Sequence, residues 1–212
     1  MTTVTDRPHT VVHVAVSVDG ATTGFEPDQG LFYELAARWE EDVTLAGSDT
    51  ILAQEQALAS APRPGPNEGG PLLAVVDSRA RVSAWDALRE CGHWSDVVAL
   101  RGGEGAGSPE RELLTGGDRV DLAAALASLS ANGATTVRVD SGGRLSGALL
   151  AADLVDEVSL LVHPVIVGDG WRRWHGHGPG RALRLGPIAS EDLGGGVYWL
   201  RYRVEHRGGA SA

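Results

Sequence analysis

The chain has 212 residues, 42% hydrophobic and 22% charged, enough apolar material for one substantial core. Its 18 basic residues are all Arg, which excludes lysine Schiff-base chemistry and the lysine of a phosphate-binding P-loop. A net charge of −10 argues against nucleic acid, a lone Cys91 excludes an internal disulfide and a cysteine-rich zinc site, and no apolar run approaches a membrane span of roughly 18–20 residues. With a short polar N-terminus, the expectation is a cytoplasmic single domain over 1–212 with flexible ends at 1–9 and 205–212.

Thr10–Val18 is continuously β-branched or small and ends at Asp19-Gly20, the pattern of a buried strand and turn. Asp28 is placed to cap a helix carrying Leu31, Leu35 and Trp39 near helical spacing. Val43–Ala46 reads as a second strand, and Gly47–Thr50 leads into one helix reaching about Leu58. After a Pro/Gly-rich loop from Ala61 to Pro71, Leu72–Val76 and Ser95–Leu100 read as strands, and Arg101–Gly117 as a wandering surface loop.

Asp121–Ser130 is an Ala/Leu helix stopped by Asn132-Gly133, and Thr135–Val139 is a strand followed by the turn Asp140–Gly143. Arg144–Ala152 follows as a helix. Val158–Val167 is a long strand interrupted by Pro164, and the alternating Val197–Val204 is a final antiparallel strand. Strands alternating with helices predict an α/β fold with a mostly parallel, twisted central sheet, flanking helices and an antiparallel C-terminal strand.

Gly47–Thr50, Asp77-Ser78 and Asp140–Gly143 stand at strand ends, where open α/β sheets bind ligands. Gly142-Gly143 suits either a tight strand-to-helix turn or close backbone approach to an anion. Gly-x-Gly-x-x-Gly, a Gly-x-Ser-x-Gly elbow and a His-Glu-x-x-His helix are all absent. His175 and His177, beside Trp171 and Trp174, lie without nearby carboxylates, so the segment reads as a mobile or partner-facing loop and no metal site is expected.

The blocks Val16-Ser-Val-Asp-Gly20, Gly47-Ser-Asp-Thr-Ile-Leu52, Val75-Val-Asp-Ser78, Val139-Asp-Ser-Gly-Gly-Arg-Leu-Ser-Gly-Ala-Leu-Leu150 and Leu154-Val-Asp-Glu-Val158, then His163-Pro164 and Gly168, occur in order. Together they resemble the reductase domain of the bifunctional riboflavin-biosynthesis deaminase–reductases. The resemblance implies a dihydrofolate-reductase-like fold, a homodimer and reduction with NADPH. The deaminase half needs a His/Cys/Cys zinc site and has no counterpart here, so a stand-alone reductase domain is implied.

Carried over by position, the resemblance assigns cofactor contacts to Val16, Thr50, Ser78, Arg79, Gly142, Gly143, Arg144 and Leu145, with Arg79 suited to a 2′-phosphate. It assigns substrate contacts to Arg38, Gln54, Leu58 and Asp140. The chain departs from the family at His13 (usually Lys), at Ala53-Gln54-Glu55-Gln56 (usually Ala-Asp-Asp-Pro) and near Ala61, where an arginine for the substrate phosphate is expected.

Hydride transfer to a carbonyl or imine carbon also needs a proton, for which Asp140 is the first candidate and His13 the second. The default substrate is the riboflavin-pathway aminopyrimidine phosphate, 5-amino-6-(5-phosphoribosylamino)uracil. The alternatives are a reductase of a different small molecule, or a non-catalytic dinucleotide-binding homologue.

Overall fold

A computed structural model describes residues 7–103, 111–176, 178 and 180–206. In chain order the elements are β1 (His9–Ser17), α1 (Gln29–Ala36), β2 (Val43–Gly47), α2 (Ser48–Leu52), α3 (Glu55–Ser60), β3 (Leu72–Val76), α4 (Trp85–Glu90) and β4 (Asp96–Arg101). They continue with β5 (Arg111–Leu114), α5 (Leu122–Ala131), β6 (Thr136–Val139), α6 (Arg144–Ala151), β7 (Glu157–His163), β8 (Leu185–Asp192) and β9 (Tyr198–Val204). The described residues form two units: one holds Arg7 and Pro8 with those between Glu41 and Val137, the other His9–Glu40 with those from Arg138 to His206. Among the described residues, no helix is long and apolar enough to cross a membrane.

In the first unit β2, β3, β4 and β5 pair in parallel, in the order β5-β4-β3-β2. Leu73, Ala74 and Val75 are consecutive and all at most 1% exposed, so both sheet faces are covered and the strand shows no alternation. One face packs Leu73, Val75, Val97 and Ala99 against Ile51, Val82, Trp85 and Leu88. Asp121 caps α5 by accepting the Ala123 and Ala124 N–H groups.

Three differences from the sequence expectation fall in this unit. The single helix expected up to Leu58 is two, divided at Ala53-Gln54, with Glu55 of α3 accepting the Ser83 N–H and hydroxyl at 3.3 Å. The stretch expected to wander from Arg101 to Gly117 contains β5, parallel to β4; no residue of β5 is fully buried, so no apolar run marks it. Residues 104–110 of that stretch lie outside the described residues. Helix α4 has no side-chain N-cap and only six residues, too short to show a period.

In the second unit β1 and β7 are parallel, while β9 pairs antiparallel with both β7 and β8. Asp28 caps α1 through the Leu31 N–H at 3.0 Å, as its sequence position predicts. The strand expected to reach Val167 stops at His163, because Pro164 has no N–H to continue the ladder. Edge strand β8 is exposed along its length and carries a bulge between Pro187 and Ala189, so it lacks the apolar pattern that would reveal it. β1 opens at His9, and the Glu205 N–H is donated to the Arg184 carbonyl; residues 1–6 and 207–212 lie outside the described residues.

The core of this unit contains a polar column. Trp199 Nε1 donates to Ser159 Oγ at 2.8 Å, and the Ser159 hydroxyl lies 2.9 Å from His13 Nδ1. His13 Nε2 lies 3.0 Å from the Phe32 carbonyl, which can only accept, so the ring proton sits on Nε2 and Nδ1 accepts from Ser159. The imidazole also stacks on Phe32 at 4.3 Å. The guanidinium groups of Arg38 and Arg201 lie over the Trp199 ring, 5.3 and 5.4 Å from its centroid.

Burial pushes the His13 pKa down from 6.5 to about 4, with the Phe32 bond opposing it. The folded state therefore resists a proton that the unfolded chain accepts, so His13 contributes its full stability above pH 6.5. That contribution is lost as pH falls towards 4, a change of roughly 3 kcal/mol. Urea unfolding at pH 7 and pH 4 should show a stability loss smaller by about that amount in His13→Gln than in the wild type; equal losses contradict the assignment.

Candidate active site

Parallel strands buried on both faces leave ligands the loops at their carboxyl ends. In the first unit these are Ser48–Thr50 after β2, Asp77–Arg79 after β3, and Arg101 at the end of β4. Asp77 is fully buried. Its carboxylate accepts the Arg81 and Val82 N–H groups, both at 3.0 Å, and Arg101 Nη1 at 2.8 Å. Arg101 is 4% exposed, also donates to the Asp77 carbonyl at 2.7 Å, and reaches Glu112 of β5 through Nε at 3.2 Å.

This holds the loop after β3 in a fixed shape and sorts its side chains. Arg81 Nη2 donates to Ser48 Oγ at 2.7 Å and Asp49 Oδ1 at 2.6 Å, so its charge is taken. Ser78 Oγ accepts the Val120 N–H at 3.1 Å. Arg79 is exposed and forms no ion pair among the described residues. Thr50 lies within α2, half-buried and hydrogen-bonded or otherwise engaged. Gln54 is exposed, and Leu58 is partly buried, packed against the apolar cluster.

In the second unit the loops after β1, β6 and β7 are tied to one another. Asp19 accepts the Ser17 hydroxyl at 2.6 Å and the Val167 and Gly168 N–H groups at 3.2 and 2.9 Å; these bonds lower its carboxyl to about 2. His163 Nδ1 faces the Leu161 carbonyl and Nε2 accepts the Asp28 N–H at 3.1 Å, joining the end of β7 to the start of α1. Val16 is 2% exposed.

Asp140 lies 3.5 Å from the buried guanidinium of Arg138, and its own side chain is 26% exposed. Tyr33 of α1, 53% exposed and not singled out by the sequence, feels both of these charges. Its phenol is pushed above its usual range by burial first and by the Asp140 carboxylate second, with Arg138 opposing. Arg38 lies instead over Trp199, and His13 is wholly buried with both ring nitrogens engaged.

The turn before α6 has Gly143 at φ +68°, a backbone state that side chains rarely tolerate, and α6 has no side-chain N-cap. A Cβ on Gly142 would stand 3.1 Å from Thr22 Cγ2. Leu145 is buried and Arg144 exposed. One expected donor is already used: the Gly143 N–H donates to the Trp174 carbonyl at 2.8 Å.

That bond is one of several that tie residues 172–176, read from the sequence as part of a mobile or partner-facing loop, to the rest of the unit. Trp174 N–H donates to the Gly20 carbonyl at 3.2 Å, Thr22 N–H to the Arg172 carbonyl at 2.8 Å, and Arg173 bridges Ala21. Gly147 of α6 lets the His175 carbonyl approach so closely that a Cβ there would collide with it. The segment is docked because small residues face its backbone, a fact that depends on neighbours far away in sequence. His177 lies outside the described residues, and among those described no group of three His, Cys, Asp or Glu could hold a metal.

Comparison with known proteins points to the same family. The family model for the RibD C-terminal domain matches residues 8–198. A protein of Archaeoglobus fulgidus named 2,5-diamino-6-ribosylamino-4(3H)-pyrimidinone 5′-phosphate reductase is 28% identical over 183 residues, covering 76% of this chain and 83% of its own. One of the same name from Methanothermobacter thermautotrophicus is 29% identical over 182 residues, covering 76% and 80%. Among solved structures, the riboflavin biosynthesis reductase of Saccharomyces cerevisiae superposes with a TM-score of 0.74 at 17% identity, covering 97% of this chain and 93% of that one. A pyrimidine reductase-like protein of Corynebacterium diphtheriae gives 0.72 at 15% identity, covering 94% and 92%.

Gly147→Ala should loosen the docked segment, since the new methyl meets backbone and not a flexible side chain; overpacking of this kind costs about 1–3 kcal/mol. Trypsin cleavage after Arg172 and Arg173 is expected to speed up at least about fivefold if opening limits access. Unchanged cleavage means the segment opens independently of Gly147.

Proposed function

The chain belongs to the RibD C-terminal domain family, and from that membership we propose that this reductase uses NADPH to reduce a phosphorylated ribosylaminopyrimidine. The curated relatives are named for 2,5-diamino-6-ribosylamino-4(3H)-pyrimidinone 5′-phosphate, and we take that compound, which still carries the amino group a deaminase would remove, as the first substrate to test. A reduced nicotinamide supplies the hydride, so the chain itself has to orient the partners, exclude water and provide a proton.

The observation that carries the choice of NADPH over NADH is the division of labour between the two arginines beside Ser78. Arg81 is neutralised by Asp49 at 2.6 Å, while Arg79 is exposed without an ion pair among the described residues, and a 2′-phosphate supplies the missing anion. In the second unit, the Arg144 and Leu145 N–H groups at the uncapped start of α6 are the donors we assign to pyrophosphate. Asp140, partly exposed and held by Arg138, is assigned to ordering the acceptor or the water that protonates it. His13 is assigned to holding α1 on the sheet and to no proton transfer, because Ser159 and Phe32 engage both its nitrogens.

We also propose that the chain is a cytoplasmic homodimer acting on a small molecule without nucleic acid or membrane; light scattering at twice the chain mass tests the dimer. A second reading, a reductase of an unphosphorylated small molecule, is favoured by Ala61 standing where the resemblance calls for a phosphate-binding arginine. Assays with the substrate and its dephosphorylated form separate the two, since recognition of the phosphate requires that its removal raise KM.

Arg79→Ala tests the cofactor assignment. Tryptophan-fluorescence titration should show NADPH binding weakened about tenfold, the worth of one charge-assisted contact of about 1.4 kcal/mol, with NADH affinity unchanged. Equal affinities of wild type and variant for NADPH contradict the assignment.

A further inference from the structure

We infer that Arg101 is a positioning residue for dinucleotide selectivity, acting on Arg79 through the buried carboxylate of Asp77. The inference rests on the proposed use of NADPH and gives a role to a strand-end residue that the family resemblance does not assign.

The loop after β3 has to turn back within a few residues, and it does so around one side chain. Asp77 accepts the N–H groups of Arg81 and Val82 on its carboxylate, and its carbonyl accepts the Ala80 N–H at 3.1 Å. Ala80 is held at φ +51°, a left-handed state that a non-glycine residue adopts only when its surroundings compel it. Arg79 therefore stands on a loop closed at both ends by Asp77.

A carboxylate with no exposure needs a cation, and Arg101 supplies it from the neighbouring strand β4. Its planar fork makes contacts that no other side chain reproduces together: Nη1 bonds both the Asp77 carboxylate and the Asp77 carbonyl, and Nε bonds Glu112. The guanidinium lies 5.7 Å over the Trp85 ring, which fixes its plane. Because Nη1 also holds the carbonyl, Arg101 sets the peptide that starts the turn, and so the direction in which Ser78 and Arg79 leave the strand.

Arg101→Lys keeps a positive charge beside Asp77 and loses the fork. NADPH and NADH titrations of wild type, Arg101→Lys, Arg79→Ala and the double variant form a cycle. The expected result is at least fivefold weaker NADPH binding in Arg101→Lys with NADH unchanged, and no further NADPH loss when Arg101→Lys is added to Arg79→Ala. Should Arg101→Lys fail to fold, Glu112→Gln, which removes the negative charge facing Arg101 Nε, is expected to lower the NADPH/NADH preference about twofold.

A preference unchanged in the folded variants, even with a lowered Tm, overturns the inference and leaves the proposed function intact. So does a loss that is equal for both dinucleotides. Wild-type protein that binds neither dinucleotide, or both equally, removes the NADPH reading itself and this inference with it.

Discussion

Parallel strands covered on both faces use almost every side chain for packing, and that constraint governs the rest of the molecule. Within each unit the chain can present polar groups to a ligand only where it leaves the sheet. The consequence is visible in how the strand ends are built: Asp19 after β1, Asp77 after β3 and the Gly142-Gly143 turn after β6 each fix a loop by backbone hydrogen bonds or a special backbone state. Loops defined this way hold donors in place before anything binds, which is what hydride transfer between two bound molecules asks of a protein.

The polar groups inside the sheet follow a stricter rule. His13, Ser159 and Trp199 satisfy one another along a single column, and Arg101, Asp77 and Glu112 do the same in the other unit. A buried group whose partners are all engaged has nothing left to offer a ligand. This separates His13, which the chemistry of proton transfer brings to mind, from Asp140, whose carboxylate keeps part of its surface.

Much of this was legible in the sequence. Continuous β-branched runs gave the parallel strands, Asp28 and Asp121 announced their helices, and the ordered blocks from Val16 to Gly168 pointed to the family. Strand β5 and strand β8 were not legible, because edge strands are half-exposed and carry no apolar run. The pairing of Asp77 with Arg101 was equally hidden, since nothing in the spacing of residues 24 apart says that two strands are neighbours. Two local contacts were likewise hidden from the sequence: Leu58 packs partly buried against the apolar cluster, and Arg38 lies over the Trp199 ring.

Hydride transfer from a reduced nicotinamide to the pyrimidine is the central step of the proposed activity. The direct measurement is incubation of the purified chain with NADPH deuterated at the transferred position and 2,5-diamino-6-ribosylamino-4(3H)-pyrimidinone 5′-phosphate, followed by mass spectrometry of the product. The proposed activity yields a reduced product carrying one deuterium, formed with equal loss of NADPH. Binding of NADPH without any deuterated product, from this compound, its deaminated counterpart or their dephosphorylated forms, would contradict it and leave a dinucleotide-binding protein that does not reduce these pyrimidines.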